Sequence, residues 1–194
     1  MSFDWWLDFI VNKFLFWLLA ALIGLEVYNL VFHRSVPNIR TAPAIRRKLI
    51  ELIKEDRAAH AGQPYTILDL GSGNGQVTRA MARAMPDAKV IGIEIAPQTV
   101  LWANIRKYLA KLGNLSYVRA SFLDYDFSKA DMIFMYMVPH YLWPLSKKLR
   151  AEAKTGTLII CNKFPLPDGW VPEQTIAVKT RYFHQRDLHI YRKA

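Results

Sequence analysis

Residues 66–77 read "TILDLGSGNGQV". An apolar run, Thr66 to Leu70, carries one acid, Asp69. Gly71, Gly73 and Gly75 follow, alternating with the polar residues Ser72 and Asn74. A helical pattern then begins at Gln76. A turn this rich in glycine adopts positive φ and lets a ligand approach the backbone closely. The helix start behind it presents amide groups and the positive end of a dipole. The position after Asn74-Gly75 is Gln76, so the third glycine of the G-x-G-x-x-G dinucleotide fingerprint is missing.

Outward from this loop, strand and helix patterns alternate. Before it, Ala44, Ile45, Leu49, Ile50, Leu52 and Ile53 recur at helical spacing, and "HAGQP" ends that helix. After it come a helix over 76–85, a strand over 89–93 and a helix from Pro97 to about Leu112. Further strands are read over 115–119, 131–137 and 157–161, with a helix over 141–153. Two alternating runs, 174–183 and 188–192, are expected to pair as a closing antiparallel hairpin. This order implies an α/β fold with a mostly parallel sheet, helices on both faces and ligands at the carboxyl ends of the strands. Attention therefore falls on residues 71–75, 94–97, 120–124 and 136–140.

Glu94 closes the second strand, about twenty residues beyond the loop, where a carboxylate meets a ribose diol. Asp69 adds a second acid beside the turn and favours a cationic ligand over a pyrophosphate. S-adenosylmethionine, with its ammonium and sulfonium, suits such a loop. A nicotinamide cofactor and a glycine turn without a ligand are the competing readings.

"LDLGSGNGQV" followed by "VIGIEI" resembles the first and second motifs of class I S-adenosylmethionine-dependent methyltransferases, with a Rossmann-like sheet. "SVPNIRTAP", "MIFMYMVPHYLWPLSKKL" and "LIICNKFPLPDGW" stand in this order around them, behind a hydrophobic N-terminus. The set looks like the membrane-associated lysine methyltransferases of the adenine nucleotide translocase and the ATP synthase c subunit. This resemblance covers most of residues 20–170 and implies protein-lysine N-methylation beside a membrane. It assigns Asp69, Gly71, Ser72, Gly73, Gly75, Glu94 and Ile95 to the cofactor. Ser121 and Phe122 fall near adenine. Ser121 stands where the family usually has an acid, and Asp124 and Asp126 are offset from that place. Tyr136, Pro139, His140 and Tyr141 fall at the transfer site.

A lysine amine must lose its proton before attack, because its reference pKa is about 10.4. His140 is a candidate proton acceptor, or else a cap at a strand–helix junction. Tyr136 and Tyr141 are equally readable as packing, and Trp143 and Trp170 as channel wall or core. Asp131 and Cys161 read as structural, and "KFPLP" as a loop that could cover the site. No metal site is expected.

The 194 residues carry a formal net charge of +10, one cysteine and 52% hydrophobic residues. That excludes a disulfide framework and a disordered chain. The basic residues are dispersed at helical spacing, so nucleic acid is not the expected partner, although a basic binding module without catalysis remains an alternative. Small-molecule or lipid methylation is another.

Residues 1–34 read as a hydrophobic helix, and 35–194 as the methyltransferase domain. Phe14 to Phe32 as a helix measures about 28 Å, close to a hydrocarbon core of about 30 Å. Trp5, Trp6 and Tyr28 sit near its ends, and Glu26 and Asn29 interrupt it. A membrane anchor is expected, with a surface-lying helix and a signal peptide as alternatives. Arg34, Arg40, Arg46, Arg47 and Lys48 then place the domain on the cytoplasmic side. In a eukaryote the resemblance implies the mitochondrial inner membrane.

Overall fold

The computed structural model describes residues 3–32, 41–180 and 187–194, with the side chains of 8–24 described in the first helix. The chain divides into two compact units, Met1–Pro37 and Asn38–Ala194.

The first unit holds helix α1 (Phe3–Phe32). Phe14, Phe16, Trp17 and Leu22 are exposed. Among the described residues, no helix is long and apolar enough to cross a membrane. The expected spanning helix is therefore corrected. Its described side chains, residues 8–24, include the charged Asp8 and Lys13. The side chains of Trp5, Trp6, Glu26, Tyr28 and Asn29, and the residues Arg34 and Arg40, lie outside what is described.

The second unit runs α2 (Pro43–Ala59), β1 (Thr66–Leu70), α3 (Gln76–Ala84), β2 (Lys89–Glu94), α4 (Pro97–Leu109), β3 (Leu115–Arg119), β4 (Met132–Met135), α5 (Pro139–Glu152), β5 (Leu158–Asn162), β6 (Gln174–Ala177) and β7 (Asp187–Arg192). The strands form one seven-stranded sheet in the order β3-β2-β1-β4-β5-β7-β6. The first five are parallel to their neighbours, while β7 runs antiparallel to both β5 and β6. The closing pair is thus antiparallel as expected, with β7 lying inside the sheet and β6 at its edge. The turn between them, and the end of the expected run to Phe183, lie outside the described residues.

Alternation of side chains divides the core into two layers. Ile67, Val90, Met132, Phe134, Leu158 and Ile160 meet Ile45, Leu49 and Ile53 of α2 and Val77 and Met81 of α3. Leu68, Leu70, Ile91, Ile93, Ile133, Met135 and Ile159 meet Leu142, Leu145 and Leu149 of α5 on the other face. Each such side chain, fully buried, contributes about 1.5–3 kcal/mol. Near-continuous apolar strands such as "MIFM" follow from this covering on both faces.

Two boundaries shift from expectation. β4 is shorter than 131–137: Asp131 lies just before it, where its carboxylate accepts the Thr66 amide at 2.7 Å and pairs with Lys154 at 2.5 Å, and 136–138 lead into α5. α5 starts at Pro139 rather than Tyr141, since proline at the first helical position forfeits an amide with no helical partner anyway. Pro144, inside α5, supplies no N–H to the His140 carbonyl.

Candidate active site

The strand order reverses at β1, whose neighbours β2 and β4 leave in opposite directions. A crevice for ligands forms at the carboxyl ends beside such a point. The glycine loop follows β1 there, and the "YMVPHY" segment follows β4.

Gly71, Gly73 and Gly75 have φ of 68°, 52° and 73°. Gly75 caps α3 in the left-handed conformation, which costs an L-residue about 1–2 kcal/mol. The Ser72 amide donates to the Ile93 carbonyl and the Gly75 amide to the Ser72 carbonyl, each at 2.9 Å. A Cβ on Gly75 would stand 1.9 Å from the Tyr117 hydroxyl, and one on Gly92 would lie 2.6 Å from the same ring. Tyr117, from β3, thus supports the loop from beneath, and its hydroxyl donates to the Gly75 carbonyl at 3.3 Å.

Glu94 is tied to this loop. Its Oε2 accepts the Gly73 amide at 3.0 Å. Its Oε1 accepts the amides of Ile95 at 2.8 Å and Ala96 at 3.0 Å, where α4 begins. Of a carboxylate's roughly four lone-pair sites, the free one lies on Oε2. Ile95 beside it is an exposed aliphatic side chain.

Asp69 points elsewhere. It is buried, and its Oδ2 accepts the Thr78 hydroxyl at 2.6 Å. Burial pushes its carboxyl up to about 7; the Thr78 hydrogen bond opposes this and the Glu94 charge adds to it. Asp69 acts visibly as a clasp between β1 and α3.

Ser121 and Phe122 follow β3. The Ser121 Oγ accepts the Leu123 amide at 3.1 Å, so part of its acceptor capacity serves the turn. Phe122 meets Tyr141 edge-on at 5.7 Å between ring centroids. Tyr141 also meets the His140 ring at 4.0 Å. This contact joins the loop after β3 to the start of α5. Pro139 and His140 are exposed, while Tyr136 is half-buried against the α2–α3 core. The structure therefore gathers the candidate residues along one sheet edge, with Asp69 set back beneath it.

Other candidates separate. Burial pushes the Cys161 thiol up, so it stays protonated in the core. Trp170 packs edge-on against Tyr191 at 5.8 Å and under Arg150 at 4.9 Å. Trp143 is exposed. Leu166 of "KFPLP" is buried, and its amide donates to the Tyr191 hydroxyl at 2.9 Å, which pins that loop. Sequence reasoning missed Thr78, Tyr117, Gly92 and Asn162. An isolated glycine inside a strand signals a close approach, and Gly92 carried that signal. Asn162, at the carboxyl end of β5, is buried, and its amide N and O have no hydrogen-bond partner among the described residues.

The topology and the loop define an S-adenosylmethionine-dependent methyltransferase of the class I fold. The ANTKMT methyltransferase domain model matches residues 69–174. The chain belongs to that family of methyltransferases. It is 29% identical over 146 residues to a protein-lysine N-methyltransferase of Saccharolobus islandicus, covering 74% of this chain and 86% of that protein. It is 28% identical over 134 residues to the ATP synthase c-subunit lysine N-methyltransferase of Rattus norvegicus, covering 69% of this chain but 59% of that protein. The fold matches an RNA methyltransferase from Salinibacter ruber in complex with S-adenosyl-L-homocysteine, with TM-score 0.65 at 22% identity over 79% of this chain and 93% of that one.

The residues present fit the family's cofactor. Ser72 Oγ and Gln76 Oε1 are buried at the loop with no hydrogen-bond partner among the described residues. Such atoms are costly unless something supplies a bond.

Proposed function

We propose that the chain N-methylates a lysine side chain of a membrane or membrane-proximal protein. One observation carries the reading: the Phe122–Tyr141–His140 ring cluster joins the segments that follow β3 and β4, at the same carboxyl edge of the sheet as the Glu94-pinned glycine loop. Aromatic faces attract a lysine ammonium by cation–π contact. The family match and the lysine-specific names of the relatives agree with it.

In this reading, Gly71, Ser72, Gly73 and Gly75 hold the methionine part of the cofactor by backbone amides and the Ser72 hydroxyl. Glu94 Oε2 takes the ribose, while Ile95, Ser121 and Phe122 border the adenine. Asp69 serves from behind by fixing the loop to α3. The bound cofactor supplies an electrophilic methyl on sulfur. Tyr136, Pro139, His140 and Tyr141 surround the acceptor amine and exclude water, which lowers its pKa. His140 takes the departing proton. Much of the rate follows from alignment alone. The exposed apolar side chains of α1, such as Phe14 and Trp17, support placement of the protein at a membrane.

The test supplies purified protein and methyl-labelled S-adenosylmethionine to membrane and soluble extracts, with Glu94→Ala as control. Label in a membrane protein band that survives delipidation and yields methyl-lysine on hydrolysis supports the reading. Label recovered in lipid or RNA overturns the acceptor and keeps the fold.

A further inference from the structure

α4 shows a face that a globular fold does not ordinarily leave bare. Ala103 is buried under the helix, toward the sheet. On the opposite side Leu101, Trp102, Ile105, Tyr108 and Leu109 are exposed by 60%, 55%, 38%, 83% and 72%. At 3.6 residues per turn these five fall within an arc of about 120°. Amphipathic helices normally turn such a stripe toward the core; here it faces outward.

The charge around this stripe is one-sided. Between Glu94 and Asp124 the chain contains no acid. The same span carries Arg106, Lys107, Lys111 and Arg119. Arg106 flanks one side of the apolar arc, Lys107 lies toward the Ala103 side of the helix, and Lys111 is exposed in the turn just past the helix end. Arg119 is exposed at the end of β3, the outermost strand beside α4. The neighbouring α3 adds Arg79 and Arg83 and no acid. The nearby Asp87 is bound to Arg57 at 2.6 Å.

We propose that the outer face of α4 is a docking surface for an anionic lipid bilayer. Leu101, Trp102, Ile105, Tyr108 and Leu109 would enter the headgroup boundary, and the flanking cations would contact lipid phosphates and carboxylates. Trp and Tyr belong at that boundary, with an apolar body and a polar tip. A basic helix with such a face lies in the interface plane, and its binding strengthens with anionic lipid. Uncompensated cations around the stripe, Arg106 beside it, Lys111 at the helix end and Arg119 on β3, favour anionic lipid over an apolar protein groove. Because α4 starts three residues after Glu94, a bilayer along this face borders the rim of the glycine-loop crevice. The surface would serve whatever the acceptor is.

The experiment uses the full chain labelled with a polarity-sensitive fluorophore at Tyr108→Cys, with Lys129→Cys as a control site. Cys161 is buried and stays unlabelled. Vesicles of phosphatidylcholine, with or without phosphatidylserine, are then added. The expected result is a blue shift at position 108 with phosphatidylserine vesicles and none at 129. Arg106→Gln with Lys111→Gln should weaken the anionic binding by about tenfold. A label at 108 that stays wet while the chain sediments with the vesicles overturns the proposal, since α1 then carries the binding. An equal shift on neutral vesicles removes the role of charge and overturns it as stated. A label already dry without lipid shows that α1, a second copy or another protein covers the face, and also overturns it.

Discussion

Glu94 Oε2 accepts the Gly73 amide at 3.0 Å, so the acid at the end of β2 holds the loop that ends β1. Through Oε1 it also holds the first amides of α4. One carboxylate therefore ties two strand ends together before any ligand arrives. Replacing it does more than remove a ribose contact.

Glu94→Ala is expected to lower S-adenosylmethionine affinity at least about tenfold and stability by about 1–3 kcal/mol, because three backbone donors lose their acceptor. Glu94→Gln keeps one acceptor oxygen and should recover much of the stability but little of the affinity. Titration calorimetry beside urea unfolding separates the two effects. Equal stability of all three proteins would refute the tie.

Gly75→Ala places a methyl 1.9 Å from the Tyr117 hydroxyl at a φ of 73°. It should destabilise by several kcal/mol, of which about 1–2 is backbone strain. Combined with Tyr117→Ala, the clash disappears and the strain stays. A double-mutant cycle should therefore show favourable coupling of about 1–3 kcal/mol. Additive losses would mean that Tyr117 does not support the loop.

Asp69 titrates near 7 in the folded protein, against about 4 in an unfolded chain. The folded form thus retains a proton that the unfolded form releases. This group's contribution is fully present below about pH 4 and is lost as pH rises through 7. Asp69→Asn still accepts from Thr78 and does not titrate. Its stability relative to the parent should rise between about pH 4 and pH 7 in denaturant titrations. Parallel pH profiles would contradict the buried-acid assignment.

Asn162 stands one step beyond the Met135–Cys161 register pair, with both amide atoms buried and unpaired among the described residues. Asn162→Leu removes that desolvation cost and should leave stability unchanged or raise it by about 1–2 kcal/mol. Thermal unfolding reads the difference. A large loss would show that a bound water or ligand group completes the amide.

The class of fold was legible because strand and helix periods alternate cleanly, and because the loop's glycines mark a positive-φ turn that admits a close approach. The glycine turn and the acid that pins it were legible at Gly71, Gly73, Gly75 and Glu94, where local backbone chemistry restricts the choice. The expectation of a transfer site at Tyr136 to Tyr141 came from order and resemblance, since aromatic residues carry no periodic mark of function. Tyr117 beneath Gly75 was invisible in sequence, because β3 reaches β1's loop only across the sheet.

Sequence alone determined the alternation of elements, the glycine turn, the acid at the end of β2 and the acid-free basic span from residue 95 to 123. These depend on neighbours in the chain, so local physics writes them into order and spacing. Tertiary structure decided that Asp69 turns inward to Thr78, that Glu94 pins two loops and that β7 enters the sheet between β5 and β6. It also decided that the apolar stripe of α4 faces outward. Periodicity identifies an apolar helix face, but only packing against other elements determines whether that face is covered.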